Sequence, residues 1–321
     1  MREQVFILCA LCRSREATEV YRDVKNRVVM CEDCTLVYLN PRLTDAAYRA
    51  YYDHEYQRRR HGVRTYDEAI ARLQQKGTYE RKKERYLESY RPYLQRESRV
   101  LEVGSSWGAM LAVLRDHVRC AVHGIEISAL AAEVSEKHFR VPVSHQTFEE
   151  YVAGAPERRF DFVILHHVIE HATDPLRMLL ALQNVVEPSG HLAIALPNMA
   201  VPDEPLDRYF RLEHCAYFTP FTLAEALRRT GWKIVDLKEM PYEMRVIAVR
   251  AGVANPEVDV SKFAEVYNAN RIRRVIAREN LRYGVLRALK RTMTRMLPAR
   301  ALEVARTVSV RLLRRIGAIK S

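Results

Sequence analysis

The stretch RVLEVGSSWGAML, residues 99–111, decides the architecture. An apolar run, VLEV, enters a turn of small residues, GSSWG, and an apolar helical pattern begins at Ala109. A strand that feeds a small-residue turn and then a helix is the opening unit of a nucleotide-binding sheet, where backbone must approach a ligand closely. Outward from it, strand-like and helix-like segments alternate. AMLAVLRDHV reads as a helix, AVHGIEIS as the second strand, ALAAEVSEKHF as a helix and VPVSHQ as a short third strand. FDFVILHH is the fourth strand, PLRMLLALQNVV a helix, HLAIALPN the fifth strand and TLAEALRRTGW a helix, with KIVDLKE and MRVIAVR closing the pattern. Apolar strands with crossover helices predict a doubly wound, seven-stranded α/β domain over residues 99–252, its last strand pair an antiparallel edge.

The turn also speaks to the ligand. A dinucleotide site needs G-x-G-x-x-G with a pyrophosphate at the helix N-terminus. Here the residues are Gly104, Ser105, Ser106, Trp107 and Gly108, so the glycine spacing fails, and Glu102 would repel a phosphate. S-adenosylmethionine (SAM) carries a sulfonium and an ammonium and no phosphate, so a carboxylate at the end of the first strand favours it. Glu126, twenty-two residues beyond Gly104, stands where an acid takes ribose hydroxyls.

Upstream, Cys9-x-x-Cys12 and Cys31-x-x-Cys34 are separated by eighteen residues. Two such pairs match a zinc ribbon in which Cys9, Cys12, Cys31 and Cys34 supply four thiolates to a structural Zn²⁺. A segment this short has too little apolar surface for a core of its own, and bound metal supplies the missing folding free energy. Four thiolates close the coordination sphere, which leaves no position for catalysis at the metal. The segment between the pairs reads as a short hairpin, and Cys120 and Cys215 read as packed residues.

Taken together, VLEVGSSWG, HGIEIS and FDFVILHHVIEHATDP resemble the motifs of class I SAM-dependent methyltransferases, with a Rossmann-like sheet, over residues ~80–252. EHCAYFTPFTLAEALRRTGW resembles the late segment of a subgroup that includes ubiquinone-pathway and sugar methyltransferases. The ribbon followed by LVYLNPRLTDAAYRAYY is similar to the zinc-binding module of sugar methyltransferases from polysaccharide and natural-product biosynthesis. The resemblance implies SAM contacts at Glu102, Gly104, Ser105, Ser106, Gly108, Glu126, Ile127, His166 and His167, and a Glu170-His171 pair opening a helix that faces the substrate. Ser106 departs from the usual middle glycine, and Thr35 stands where such ribbons carry glycine. Glu213 and His214 match a Tyr-x-Glu-His segment around the substrate, but Arg211 replaces its tyrosine, and no counterpart of the second α/β domain of those enzymes is expected over residues 253–321. O-methylation of a sugar, nucleotide-sugar or glycan hydroxyl is therefore expected ahead of carbon methylation.

A hydroxyl becomes a methyl acceptor when a base takes its proton as the bond forms. Ligands of open α/β sheets bind outside the carboxyl ends of the strands. That selects His171 or His214 as the base, with Glu213 beside them. His167-Val-Ile-Glu170-His171 also spells the H-x-x-E-H of inverted zinc proteases. That motif belongs in a long helix, whereas this one directly follows a buried strand and precedes Asp174-Pro175.

The net charge is +12, and residues 262–321 carry sixteen Lys and Arg against Glu265, Glu279 and Glu303, so the excess belongs to the tail. In its last part Leu302, Ala305, Val308, Leu312 and Ile316 form an apolar stripe flanked by Arg300, Arg306, Arg311, Arg314 and Arg315. Such a helix suits an anionic membrane surface, packing against the enzyme or a second subunit, or, less readily, nucleic acid. The expected organisation is a ribbon at 1–45, a solvated helical connector or lid at 46–98, the SAM domain at 99–252 and a basic helical tail at 253–321. No apolar run spans a membrane and no signal peptide is expected, which places the protein in the cytoplasm, peripheral on the inner membrane face if the tail binds there. RNA methylation and a non-catalytic SAM-binding or scaffold role are the competing readings.

Overall fold

The computed structural model describes residues 3–55, 62–154, 159–241, 243–253 and 257–296. The strands are β1 (Gln4–Val5), β2 (Ala17–Arg22), β3 (Arg27–Cys31), β4 (Val37–Leu39), β5 (Arg42–Leu43), β6 (Arg99–Val103) and β7 (Ala121–Ile125). They continue with β8 (Val143–Ser144), β9 (Phe160–His166), β10 (Val186–Leu196), β11 (Ala216–Tyr217), β12 (Trp232–Glu239) and β13 (Met244–Arg250). Seven of them form the central sheet in the order β12-β13-β10-β9-β6-β7-β8. Pairing is parallel from β8 through β10, and β13 lies antiparallel between β10 and β12, which is the expected antiparallel edge. The strand order reverses at β6, where the chain runs out to β8 and returns to β9 on the other side. A crevice opens outside the carboxyl ends of strands at such a reversal.

Both faces of the sheet are covered, and strand parity assigns each residue to a layer. Leu101, Val103, Val163 and Leu165 face one core with Leu179, Leu192 and Leu223. Val100, Phe162 and Ile164 face the other with Met110, Leu111, Tyr86 and Tyr90. By the same alternation Glu102 and His166 point toward the second layer. The helices start on local signals. Ser128 caps 129–137 through the Ala131 N–H, Asp174 caps 175–182 ahead of Pro175, and Thr219 with Thr222 forms a capping box ahead of Pro220.

The helical segment, expected as a solvated connector or a lid, is not solvated throughout, and Arg72, Lys76 and Lys82 from it line a cavity at the carboxyl ends of the central strands. It forms helices Asp45–His54, Tyr66–Gln75 and Thr78–Tyr90, the last two divided at left-handed Gly77, and Tyr86, Leu87 and Tyr90 are buried against the sheet. The ribbon is not a free-standing module either. Its hairpin β2–β3 and strand β4 are joined by β11, from beyond the fifth strand of the central sheet, into one sheet of order β11-β4-β3-β2. Cys9, Leu11, Val29, Leu36 and Tyr38 share the hydrophobic layer of Leu192 and Leu223. Chain contacts divide the molecule into Met1–Arg273 and Arg274–Ser321, and a helix spans Ala269–Met296. The apolar stripe from Leu302 to Ile316 lies outside the described residues.

Candidate active site

A cavity of about 560 Å³ opens at the carboxyl ends of β6, β7 and β9. Its wall includes Glu102, Gly104, Ser105, Ser106, Glu126, Ile127, His166, His167 and His171, so most of the residues singled out in the sequence converge here. The turn between β6 and the next helix is built on left-handed backbone: φ is +66° at Gly104, +50° at Ser106 and +78° at Gly108. Gly108 shapes the turn from behind the wall. A Cβ added there would lie 2.1 Å from Ser135 Oγ, and one at Gly104 would lie 2.8 Å from Val168 Cγ2. Ser106 adopts the left-handed conformation without being glycine and turns its N–H onto Glu126 Oε2 at 2.8 Å. The other oxygen of Glu126 accepts from the Ser128 N–H at 2.8 Å. Burial raises the Glu126 carboxyl above its ordinary range, and these N–H groups act against the shift.

Glu102 is 2% exposed; its Oε1 lies 2.9 Å from His166 Nδ1, and its Oε2 is buried with no hydrogen-bond partner among the described residues. Burial pushes its carboxyl up to about 8. His166 is held well below the usual histidine range by burial, with Lys82 and His167 adding to the effect, so the ring is neutral. Expected at the cofactor's edge, His166 lines the cavity with both nitrogens engaged, since Tyr90 OH sits 2.6 Å from its Nε2.

His167 has φ +54°, with Nδ1 3.4 Å from Glu170 Oε1 and Nε2 3.3 Å from Glu243 Oε2. Burial opposes its charge, but the two carboxylates outweigh it and raise the ring's pKa. Glu243 is fully buried among Arg85, Tyr86, Arg245 and His167. Burial alone would raise it, yet these partners hold it at about 2.

The Glu170-His171 pair does not open a helix. Ile169–His171 is a single 3₁₀ turn, and the helix starts only at Pro175, which also removes the long helix a zinc-protease motif requires. His171 lines the cavity and its Nδ1 is 2.6 Å from Tyr52 OH. Burial lowers the His171 pKa, against the pull of Glu170 and Glu213. Glu213 and His214 stand behind this wall rather than in it: the His214 ring meets His171 edge-on at 4.8 Å, and Glu213 Oε2 accepts from Tyr51 OH at 3.5 Å. Donor atoms of Glu170, His171 and His214 lie within 4.8 Å of one another, a set with the chemistry to hold a cation.

The four N-terminal thiols also converge. Cys9 and Cys34 sulfurs are 3.4 Å apart, as are those of Cys12 and Cys31, and all four lie within 4.8 Å. Tetrahedral zinc with bonds of about 2.3 Å places sulfurs about 3.75 Å apart, so the cluster fits that ion. Thr35 has φ +61°, which accounts for the glycine such ribbons usually carry there.

Sequence reading missed Lys82, Tyr90, Tyr52 and Glu243. Lys82 lines the cavity, partly buried, and burial lowers its pKa against the pull of Glu102 and Glu243. The spacing of Tyr79, Tyr86 and Tyr90 along one helical face was the available signal, hidden by the charged residues between them.

Residues 64–237 match the family described as a methyltransferase domain, more than half of the chain. The ubiquinone biosynthesis O-methyltransferase of Neisseria meningitidis serogroup C (strain 053442) is 26% identical over 166 residues, 46% of this chain and 69% of that protein. The enzyme of the same description from Cupriavidus pinatubonensis (strain JMP 134 / LMG 1197) is 26% identical over 159 residues, 45% of this chain and 64% of its own length. The match therefore spans about two thirds of either relative. A solved SAM-dependent methyltransferase from Archaeoglobus fulgidus superposes with a TM-score of 0.46 at 19% identity, covering 56% of this chain and 97% of that one. With its doubly wound sheet and left-handed turn at Gly104, the chain belongs to the methyltransferase-domain family and is a class I SAM-dependent methyltransferase.

Proposed function

We propose that the protein transfers the methyl group of SAM to a hydroxyl of a small-molecule acceptor, a sugar, nucleotide-sugar or glycan, with His171 as general base. One observation carries this reading: His171 shares a cavity wall with Glu102, Gly104 and Glu126. SAM supplies an electrophilic methyl group when bound. Glu126 would take its ribose hydroxyls, the Gly104–Gly108 turn would allow close backbone approach, and Glu102, whose Oε2 has no partner among the described residues, would face positive charge. Lys82, in the same wall, would meet a carboxylate. The enzyme's own contribution is alignment of acceptor, methyl carbon and sulfur, and removal of one proton. The low pKa of His171 keeps its ring neutral near pH 7, the state a base requires. His214 and Glu213 support that ring from behind.

The activity named for the relatives favours a second acceptor for the same O-methylation, a hydroxyl of a quinone precursor. Incubating the protein with methyl-labelled SAM and cell fractions separates the readings. Label in a glycan or sugar nucleotide supports the first and label in a quinone lipid the second. Label in RNA, or no transfer at all, overturns both.

The Cys9, Cys12, Cys31 and Cys34 cluster would hold a structural Zn²⁺ and take no part in the transfer. The tail, with sixteen cationic side chains over 262–321, would hold the enzyme at an anionic membrane surface, near a membrane-assembled acceptor. None of the described helices is long and apolar enough to cross a membrane.

A further inference from the structure

We propose that Tyr90 and His166 are positioning residues for the cofactor, a two-bond relay that turns Glu102 so that its second oxygen meets the cofactor's positive charge. The proposal rests on the reading of the cavity as the SAM site. Its basis is a continuous line of buried polar atoms. Tyr90 OH lies 2.6 Å from His166 Nε2, and His166 Nδ1 lies 2.9 Å from Glu102 Oε1. The three residues are 1%, 7% and 2% exposed, so water does not compete for these bonds. The imidazole is clamped: Tyr86 covers it at 4.2 Å between centroids, and Tyr90 stacks at 17° between planes. Glu102 Oε1 is thereby committed, which leaves Oε2, buried and without a partner among the described residues, as the atom available to a ligand.

Proton placement follows from the inventory of donors and acceptors. A neutral ring carries one N–H. An ionised Glu102 only accepts, so that proton sits on Nδ1 and Tyr90 donates its own to Nε2. Charged and titratable groups surround the line. Lys82, Arg85 and Tyr86 come from helix Thr78–Tyr90, Glu126 follows β7, His167 follows β9, Glu243 immediately precedes β13, and Arg245 belongs to it. In the ligand-free protein Glu102 holds a proton near neutral pH, because burial pushes it up to about 8. A cation arriving at Oε2 takes the place of that proton, which leaves to solvent. Cofactor binding is thus tied to release of one proton, and the relay holds the carboxylate in place once it is ionised.

Calorimetric titration of the full chain with SAM tests this, in wild type and in Tyr90→Phe, His166→Phe, His166→Asn and Glu102→Gln, at about pH 6 and pH 7.5. The wild type is expected to bind at least about tenfold tighter at the higher pH and to release close to one proton. Glu102→Gln loses that difference, and any titration of the ligand itself persists in this variant as the baseline. Tyr90→Phe and His166→Phe weaken binding about tenfold at pH 7.5, and His166→Asn, whose side-chain N–H can still reach Glu102, recovers most of it. If both relay variants match wild type while Glu102→Gln is impaired, the relay is wrong and the cofactor-facing role of Glu102 stands. If Glu102→Gln matches wild type, both fall. Should Tyr90→Phe or His166→Phe fail to fold, His166→Asn and wild type titrated in two buffers of different ionisation heat remain: no proton release beyond the Glu102→Gln baseline, or a His166→Asn protein that has lost most of its binding, overturns the proposal.

Discussion

Two side chains carry the residue-scale consequences. His171 sits in the cavity wall with Nδ1 against Tyr52, and burial depresses its pKa below the usual histidine value. Protonation removes the lone pair a base needs, so kcat should rise as pH climbs through that depressed value and level off before neutrality. His171→Ala is expected to lower kcat by about 100-fold while SAM affinity by calorimetry stays within about threefold, and to abolish the acid limb of the pH profile. Near-wild-type turnover would remove His171 from the mechanism. Gly108 is the second case. Its φ of +78° and the 2.1 Å that would separate an added Cβ from Ser135 Oγ leave no room for alanine. Gly108→Ala should cost about 1–3 kcal/mol in urea denaturation. Ser135→Ala in the same chain should recover only part, because the left-handed backbone remains. A Gly108→Ala protein as stable as wild type would show that the turn adapts.

At the scale of elements, the unexpected pairing is β4 with β11, Tyr38 opposite Ala216 and Val37 opposite Tyr217. It sets the ribbon's strand β4 against the residues that follow His214-Cys215, and further ties come from Asn26 Nδ2 of the ribbon, 2.8 Å from the Phe210 carbonyl, and from Tyr48 OH of the adjoining helix, 2.9 Å from that of Leu212. The ribbon that carries the four-cysteine cluster thus supports the loop behind His171. Stripping metal with a chelator should therefore speed amide exchange at Tyr38 and at 215–217 by about tenfold or more, alongside the ribbon's own loss of protection. Unchanged exchange at 215–217 after confirmed metal loss would separate the ribbon from the site. Helix Thr78–Tyr90 shows the same economy: its charged face hid the buried Tyr86 and Tyr90, which wall the site from the second layer.

For the whole molecule, charge is the organising asymmetry. The tail holds the +12 excess, leaving the rest of the chain close to neutral. The chain of residues 1–321 should sediment with vesicles containing anionic lipid at low salt and be released as ionic strength rises, since surface attraction is worth about 1 kcal/mol per basic residue and is screened over about 8–10 Å. Equal retention on neutral vesicles, or none on anionic ones, would assign the tail another role.

The sequence by itself determined the chain order of the seven central strands, the glutamates ending the first two of them, the turn between Gly104 and Gly108, and the four-cysteine cluster. These are local properties: apolar periodicity, the conformational freedom of glycine and the spacing of C-x-x-C pairs act within a few residues. Only tertiary structure decided that Tyr90 and His166 engage Glu102, that His171 lines the cavity while His214 stands behind it, and that the ribbon takes a strand from beyond the fifth strand of the central sheet. Those outcomes depend on strand parity and on pairings across as many as 180 residues of chain, as between Val37 and Tyr217, where many polar residues compete for each buried position. A hydrogen bond is chosen there by which partner the packed layers bring within about 3 Å, and no local pattern encodes that distance.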